Sequence, residues 1–119
     1  RWEAYENPHK AAHNALQMPA SAETTRALYY AVSHWSRRDR IAALSWLEGV
    51  KEAPLREVGL IALAETWAVT QPEEALAWII TLDATDQARQ TAYTKVIDQW
   101  QRRDPAAAET WKSNITVDS

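Results

Sequence analysis

The chain has 119 residues and a formal net charge of −3 at pH 7, so we expect one domain and no nucleic-acid or anionic-membrane partner on electrostatic grounds. It contains no cysteine, which excludes disulfides, thiolate catalysis and cysteine-based zinc sites. No apolar run approaches the roughly 20 residues that a membrane-spanning helix needs, so we expect a soluble chain without membrane insertion.

The composition favours an all-α fold. Only two glycines and five prolines are present, which leaves little material for hairpin turns or phosphate-binding loops. Alanine is abundant, and together with leucine, glutamate, glutamine and arginine it favours helix. The β-branched residues are scattered and show no sustained alternation of apolar and polar positions, so no strand is predicted.

Tryptophan recurs with a period of 32 or 33 residues, in two interleaved series. The first series is Trp2, Trp35, Trp67 and Trp100, and the second is Trp46, Trp78 and Trp111. Between them Arg40, Pro72 and Pro105 are equivalent, and Ala43, Ala75 and Ala108 follow. Such a period indicates stacked supersecondary units. We divide the single domain into units at about 1–20, 21–52, 53–85 and 86–119, in a chain that is a candidate fragment of a longer stack.

Each unit has the apolar pattern of two helices. Before the first Trp of a unit, apolar residues stand at helical spacing on one face: Leu28, Ala31 and Val32; Leu60, Leu63 and Ala64; Tyr93, Val96 and Ile97. The second helix has its own stripe, with its Trp at the edge. We therefore predict a structural role, in the seams between helices or units, for Trp35, Trp46, Trp67, Trp78, Trp100 and Trp111. We expect Trp2 and Trp111 to be the most exposed of the seven.

Capping signals set the helix boundaries. Asp39 and Asp104 are predicted N-caps, Pro72 and Pro105 suit a first helical turn, and Ser21 and Asp83 are candidate caps after the inter-unit turns. The predicted helices are 8–17, 22–38, 40–49, 54–70, 72–82, 86–103 and 105–114. Antiparallel hairpins of this kind, stacked in register, make a short right-handed α-solenoid of about seven helices.

The hairpin length, the short turns and the sequence PEEAL at 72–76 resemble tetratricopeptide-like repeats, and the phrase W-x4-P-x2-A-x2-W is similar to divergent bacterial tandem repeats of about 33 residues. The likeness extends from Trp2 to Ile115. It implies the α-solenoid fold. The small residue of the first helix precedes the alanine of the second by sixteen positions, as in Gly59 and Ala75, rather than the usual twelve. No binding residue is therefore transferred from the family.

Three groups of residues have a possible chemical role as well as a structural one. Glu6, His9 and His13 share a helical face, but Lys10 stands where a metalloprotease carries its general base, so we expect no metal and no cofactor. No nucleophile, base and acid form a recognisable set, and we expect no enzymatic activity. A basic ridge for RNA is conceivable at Arg37, Arg38, Arg40, Arg102 and Arg103. Placement of cations at helix ends explains most of these arginines without RNA.

The sequence is best interpreted as a non-catalytic protein-interaction or scaffold module. The candidate binding residues are Arg26, Tyr29, Tyr30, Arg37 and Arg38, although the two tyrosines also suit packing in a seam. The expected partner is another protein or the remainder of the parent chain, with self-association through repeat ends as a further option. The alternatives are a glycan- or peptide-binding module that uses exposed Trp, and a structural arm of a larger enzyme. The compartment is open, with the bacterial cell envelope or periplasm favoured.

Overall fold

The computed structural model describes residues 7–19 and 21–118, and within these ranges it is helical with no strand. The described helices are α1 (Pro8–Gln17), α2 (Ala22–Arg38), α3 (Arg40–Glu48), α4 (Ala53–Ala68), α5 (Pro72–Ile80), α6 (Asp86–Arg103) and α7 (Pro105–Asp118). This confirms the all-α class and the seven predicted helices.

Side-chain caps explain why the helices begin where predicted. Asn7, Ser21, Asp39 and Asp104 each accept a hydrogen bond from a backbone N–H three residues later, at 3.0 to 3.2 Å. Each bond satisfies an N–H group that the first turn of a helix leaves without an internal partner. The predicted caps at Ser21, Asp39 and Asp104 are thus confirmed, and Asn7 adds one that was not predicted.

Four helix ends, one helix start and one cap differ from the prediction; α3 ends at Glu48 rather than at residue 49, and α4 begins at Ala53 rather than at residue 54. Helix α4 stops at Ala68, because the N–H groups of Val69 and Thr70 turn back to Thr66 O and Trp67 O. Helix α5 stops at Ile80, where the Thr81 hydroxyl donates to Trp78 O at 2.8 Å. Helix α7 extends past residue 114 to Asp118. The N-cap of α6 is Thr85, not Asp83: the Thr85 hydroxyl oxygen accepts from Ala88 N at 3.1 Å.

The helices pack mainly against near neighbours in sequence. Helix α2 lies against α1 and α4, and α4 lies against α6, so the long first helices of successive hairpins form one layer. Helix α3 contacts α2 and α4, α5 contacts α4 and α6, and α7 contacts α6. The principal extents are 46 × 27 × 24 Å. Helices α3, α5 and α7 thus each lie against the first helix of their own hairpin, and α1, α3 and α5 lie against the first helix of the next hairpin.

The core consists of the predicted apolar stripes. Fully buried side chains include Leu28, Val32, Leu47, Leu63, Leu76, Ile79 and Val96. Gly59 is buried where α4 meets Leu47 of α3, and a Cβ atom there would overlap the Leu47 side chain. The two helices therefore approach each other closely at this small residue.

Each turn between hairpins is held by a side chain from the following helix. Arg56 Nη1 donates to Val50 O at 2.6 Å, and Arg89 Nη1 donates to Leu82 O at 2.8 Å. Thr24, at the equivalent position of the first turn, donates through its hydroxyl to Pro19 O. The three residues stand eleven positions before Trp35, Trp67 and Trp100. Turn carbonyls that no helix satisfies therefore receive a partner in all three cases.

Candidate functional site

The two tryptophan series meet in pairs, one pair in each hairpin. The ring centroids are 5.7 Å apart in Trp35–Trp46, 5.6 Å in Trp67–Trp78 and 5.9 Å in Trp100–Trp111, with interplanar angles of 51–54°. Aromatic pairs at such separations are attractive beyond the area they bury. Each pair therefore joins the last turns of a first helix to the seventh residue of the second.

The preceding hairpin covers two of these pairs. The His9 ring stacks on Trp35 with centroids 4.8 Å apart, and the guanidinium carbon of Arg40 lies 4.1 Å from the centroid of Trp67. His9 is the second residue of α1 and Arg40 is the first residue of α3, so two neighbouring positions in the first turn of a second helix make similar contacts with the following Trp pair. Arg40 thus packs against an indole, unlike the arginines in the last turns of α2 and α6.

The indoles differ in burial. Trp100 is 8% exposed, whereas Trp35, Trp46, Trp67, Trp78 and Trp111 are half-buried. Trp111 was expected to be among the most exposed, but it lies against Tyr93 as well as Trp100, with a Tyr93–Trp111 centroid separation of 5.9 Å. Trp2 lies outside the described residues. The half-buried indoles keep an edge available to solvent while their other surfaces pack.

The three residues considered for a metal site, Glu6, His9 and His13, lie only partly within the described residues. Within residues 7–19 and 21–118, no three acidic or histidine side chains are grouped closely enough to hold a metal ion. His9 and His13 are exposed, and His9 is engaged with Trp35. Glu6 lies outside the described residues.

The candidate binding residues of α2 fall into two environments. Arg26, Tyr30, Arg37 and Arg38 are exposed, and Tyr30 is 55% exposed. The Tyr29 side chain is instead half-buried against the core, and its hydroxyl donates to Glu65 of α4. The exposed four remain candidates for contact with a partner. Tyr29 has the alternative packing role.

Glu65 links the three long helices. Besides the Tyr29 hydroxyl from α2, its carboxylate has Lys95 Nζ of α6 at 4.0 Å, and its backbone oxygen accepts from Gln99 Nε2 at 3.3 Å. Burial and the hydrogen bond to Glu65 raise the pKa of Tyr29 well above its ordinary value. The neutral phenol is therefore the form that the fold favours.

The end of α2 is electropositive. His34 has its pKa lowered, first by partial burial and then by the positive charges of Arg37 and Arg38. Arg37 and Arg38 are in the last turn of α2, as Arg102 and Arg103 are in that of α6, where cations offset the negative end of the helix dipole. The predicted position of these four arginines at the ends of first helices is therefore confirmed.

Two equivalent grooves open beside the second tryptophans. One encloses about 560 Å³ and is lined by Leu44, Glu48, Arg56, Leu60, Trp78, Thr81, Leu82 and Asp83. The other encloses about 500 Å³ and is lined by His13, Leu16, Ser45, Trp46, Gly49, Val50, Lys51 and Glu52. Leu16, Trp46, Gly49, Val50 and Lys51 of the second stand 32 positions before Glu48, Trp78, Thr81, Leu82 and Asp83 of the first. Five of the eight lining residues of each groove thus correspond at a spacing of 32 residues, whereas the charged residues differ.

Comparisons with known proteins found no match for this chain among family models, curated proteins or solved structures. Across residues 7–19 and 21–118, no helix combines the length and apolar character needed to cross a membrane.

Proposed function

We propose that this chain is a non-catalytic protein-interaction or scaffold module, built as a short right-handed α-solenoid of tetratricopeptide-like hairpins. The repeated tryptophan pairs, the neighbour-to-neighbour packing of the helices and the elongated 46 × 27 × 24 Å shape support this arrangement. Solenoids present extended surfaces that bind other proteins. The partner is another protein or the remainder of the parent chain.

The main support for the proposal is the set of exposed Tyr and Arg side chains on the outer surface of α2. Tyr30 is 55% exposed, and Arg26 and Arg37 are exposed four positions before and seven positions after it, on the same helical face. Tyr and Arg are the residue types enriched in protein interfaces and in their energetic hot spots. Tyr29 packs edge-to-face on Tyr30, with centroids 6.0 Å apart, and so holds the exposed ring in place.

A comparison of affinity capture by matched variants tests the proposal. The wild-type chain, Tyr30→Ala with Arg37→Ala, and Ile41→Ala are each immobilised, and the proteins retained from the source cell are quantified. Ile41 is 77% exposed on α3, so its substitution is the control for loss of an exposed apolar side chain. The proposal predicts a protein retained by the wild type and by Ile41→Ala but lost from the Tyr30 and Arg37 variant. Equal retention by all three would contradict it.

A glycan-binding module is the second candidate, because a half-buried Trp78 forms part of the wall of a groove. Sugar rings stack on indole faces, and Glu48 and Asp83 offer acceptors for their hydroxyl groups. Titration with a panel of oligosaccharides, followed by Trp emission, decides this candidate. A saturable shift that Asp83→Ala abolishes supports it, and no shift across the panel removes it.

A further inference from the structure

We propose that the groove between α3 and α5 binds a basic side chain, arginine above all, from a segment of another protein. The site is lined by residues of α3, α4 and α5 and of the turn after α5, and it includes no residue of α2. Its existence is thus independent of the function proposed for Tyr30 and Arg37.

The groove combines an aromatic wall with unpaired negative charge. Trp78 is half-buried and lines it, and Glu48 and Asp83 line it with exposed side chains. Among the described residues, no hydrogen bond or ion pair engages either of these two carboxylates. The one basic residue of the lining, Arg56, donates its Nη1 to Val50 O at 2.6 Å. The lining therefore has two carboxylates and one guanidinium, a formal charge of −1, and the guanidinium is hydrogen-bonded to the turn at Val50 O.

The same molecule already shows the contact that the occupant would make. Arg40 places its guanidinium 4.1 Å from the Trp67 ring centroid, and Trp67 is paired with Trp78. A guanidinium stacks on an indole and also forms two-pronged hydrogen bonds with a carboxylate, which an ammonium does less well. The chemistry of the lining therefore favours arginine over lysine.

The corresponding groove between α1 and α3 has different charged residues. Leu16 stands where the first groove has Glu48, and Lys51 stands where it has Asp83. The indole is retained as Trp46, but both carboxylates at these positions are lost; the second groove has one carboxylate, Glu52, and one ammonium group, Lys51, so with neutral histidine its formal charge is zero against −1 in the first groove. Charge complementarity thus singles out the groove between α3 and α5 for a cation.

Nuclear magnetic resonance titration with blocked Ala-Arg-Ala peptide tests the proposal. The peptide should shift the indole N–H signal of Trp78 in a saturable manner, and the matched peptide with citrulline in place of arginine should bind at least threefold more weakly. Glu48→Gln and Asp83→Asn should each weaken the arginine peptide about threefold, and the double variant about tenfold, with a smaller effect at high salt. Both side chains are exposed, so the variants should keep the helical circular dichroism of the wild type.

Glu73→Gln is the matched control, because Glu73 is an exposed carboxylate on α5 that does not line the groove. Its affinity for the peptide should equal that of the wild type. Equal binding of the citrulline peptide, or equal weakening by Glu73→Gln, would overturn the proposal. So would the absence of a Trp78 shift up to the solubility limit of the peptide. An oligosaccharide that moves the Trp78 signal where the peptide does not would assign the groove to glycans instead.

Discussion

Gly59 lies so close to Leu47 that its backbone leaves no room for a side chain. A Cβ atom at Gly59 would stand 3.3 Å from Leu47 Cγ and would overlap the methyl groups of the same side chain. Leu47 is fully buried, so it has no solvent-exposed space into which to move. The contact between α3 and α4 therefore depends on the absence of a side chain at this position.

Gly59→Ala should lower the free energy of unfolding. Overpacking a core costs about 1–3 kcal/mol, while alanine in place of glycine inside a helix returns about 1 kcal/mol, so we expect a net loss of about 1 kcal/mol. Urea unfolding followed by circular dichroism measures it. Gly49→Ala is the control, because a Cβ there meets only Trp46 O at 3.5 Å. Its stability should be unchanged or raised by up to about 1 kcal/mol. A Gly59→Ala protein that matches this control would refute the close packing.

Trp100→Ala should be strongly destabilising. Trp100 is the most buried indole of the three described pairs, and removal of a core Trp costs about 3–5 kcal/mol. Thermal and urea unfolding measure the loss. Ile41→Ala, at a position that is 77% exposed, should stay within about 0.5 kcal/mol of the wild type. A loss below about 1 kcal/mol for Trp100→Ala would show that the pair at the end of α6 is not a packing element.

The bond between Tyr29 and Glu65 predicts a dependence of stability on alkaline pH. The fold raises the pKa of Tyr29 above its ordinary value near 10, so the folded chain holds the phenolic proton more tightly than the unfolded chain. The resulting stability is fully present below about pH 10 and is lost as the pH rises towards the folded pKa. Wild type should therefore lose stability more steeply than Tyr29→Phe above pH 10.

Urea unfolding at several pH values between 8 and 12 gives the two slopes, and titratable groups that both proteins share cancel in their difference. Tyr93, whose pKa is raised by partial burial, is one such shared group. Parallel slopes for the wild type and Tyr29→Phe would contradict the assignment of Tyr29 to this hydrogen bond.

Arg56→Met should loosen the turn between α3 and α4. The lost hydrogen bond to Val50 O has a charged donor, and we expect a cost of about 1–2 kcal/mol together with faster amide hydrogen exchange at residues 50–52. Arg26→Met is the control, since Arg26 is exposed and outside the turns. Exchange at residues 50–52 that is equally slow in both variants would remove the proposed role of Arg56.

The helices were largely predictable because their signals are local. The boundaries of α1, α2 and α6 follow from caps and from a period that tryptophan makes conspicuous, and the predicted ranges 8–17, 22–38 and 86–103 agree with the structure. Asp83 was a wrong choice of cap because Asp83 and Thr85 are both suitable residue types in the same turn. Only the position of the first helical residue, Asp86, decides between them.

The contacts between units were not predictable in the same way. Glu65 is 36 residues from Tyr29, and the sequence around either residue does not indicate that the two are in contact. The side-chain contacts with the turns did have a signal in the sequence, because Thr24, Arg56 and Arg89 stand at the same distance before successive tryptophans. A comparison of polar as well as apolar residues between units would have found them. The grooves depend on the spacing between α1, α3 and α5, which periodicity alone does not give.

The most direct test of the central claim, that the paired tryptophans are a packing device, is acrylamide quenching of Trp fluorescence with the emission maximum recorded. The account predicts blue-shifted emission that acrylamide quenches poorly, because the six indoles of the described pairs are buried or half-buried. Unfolding in urea should then shift the emission to the red and make it readily quenched. Red-shifted and readily quenched emission in the folded protein would contradict the claim and would favour an exposed tryptophan platform.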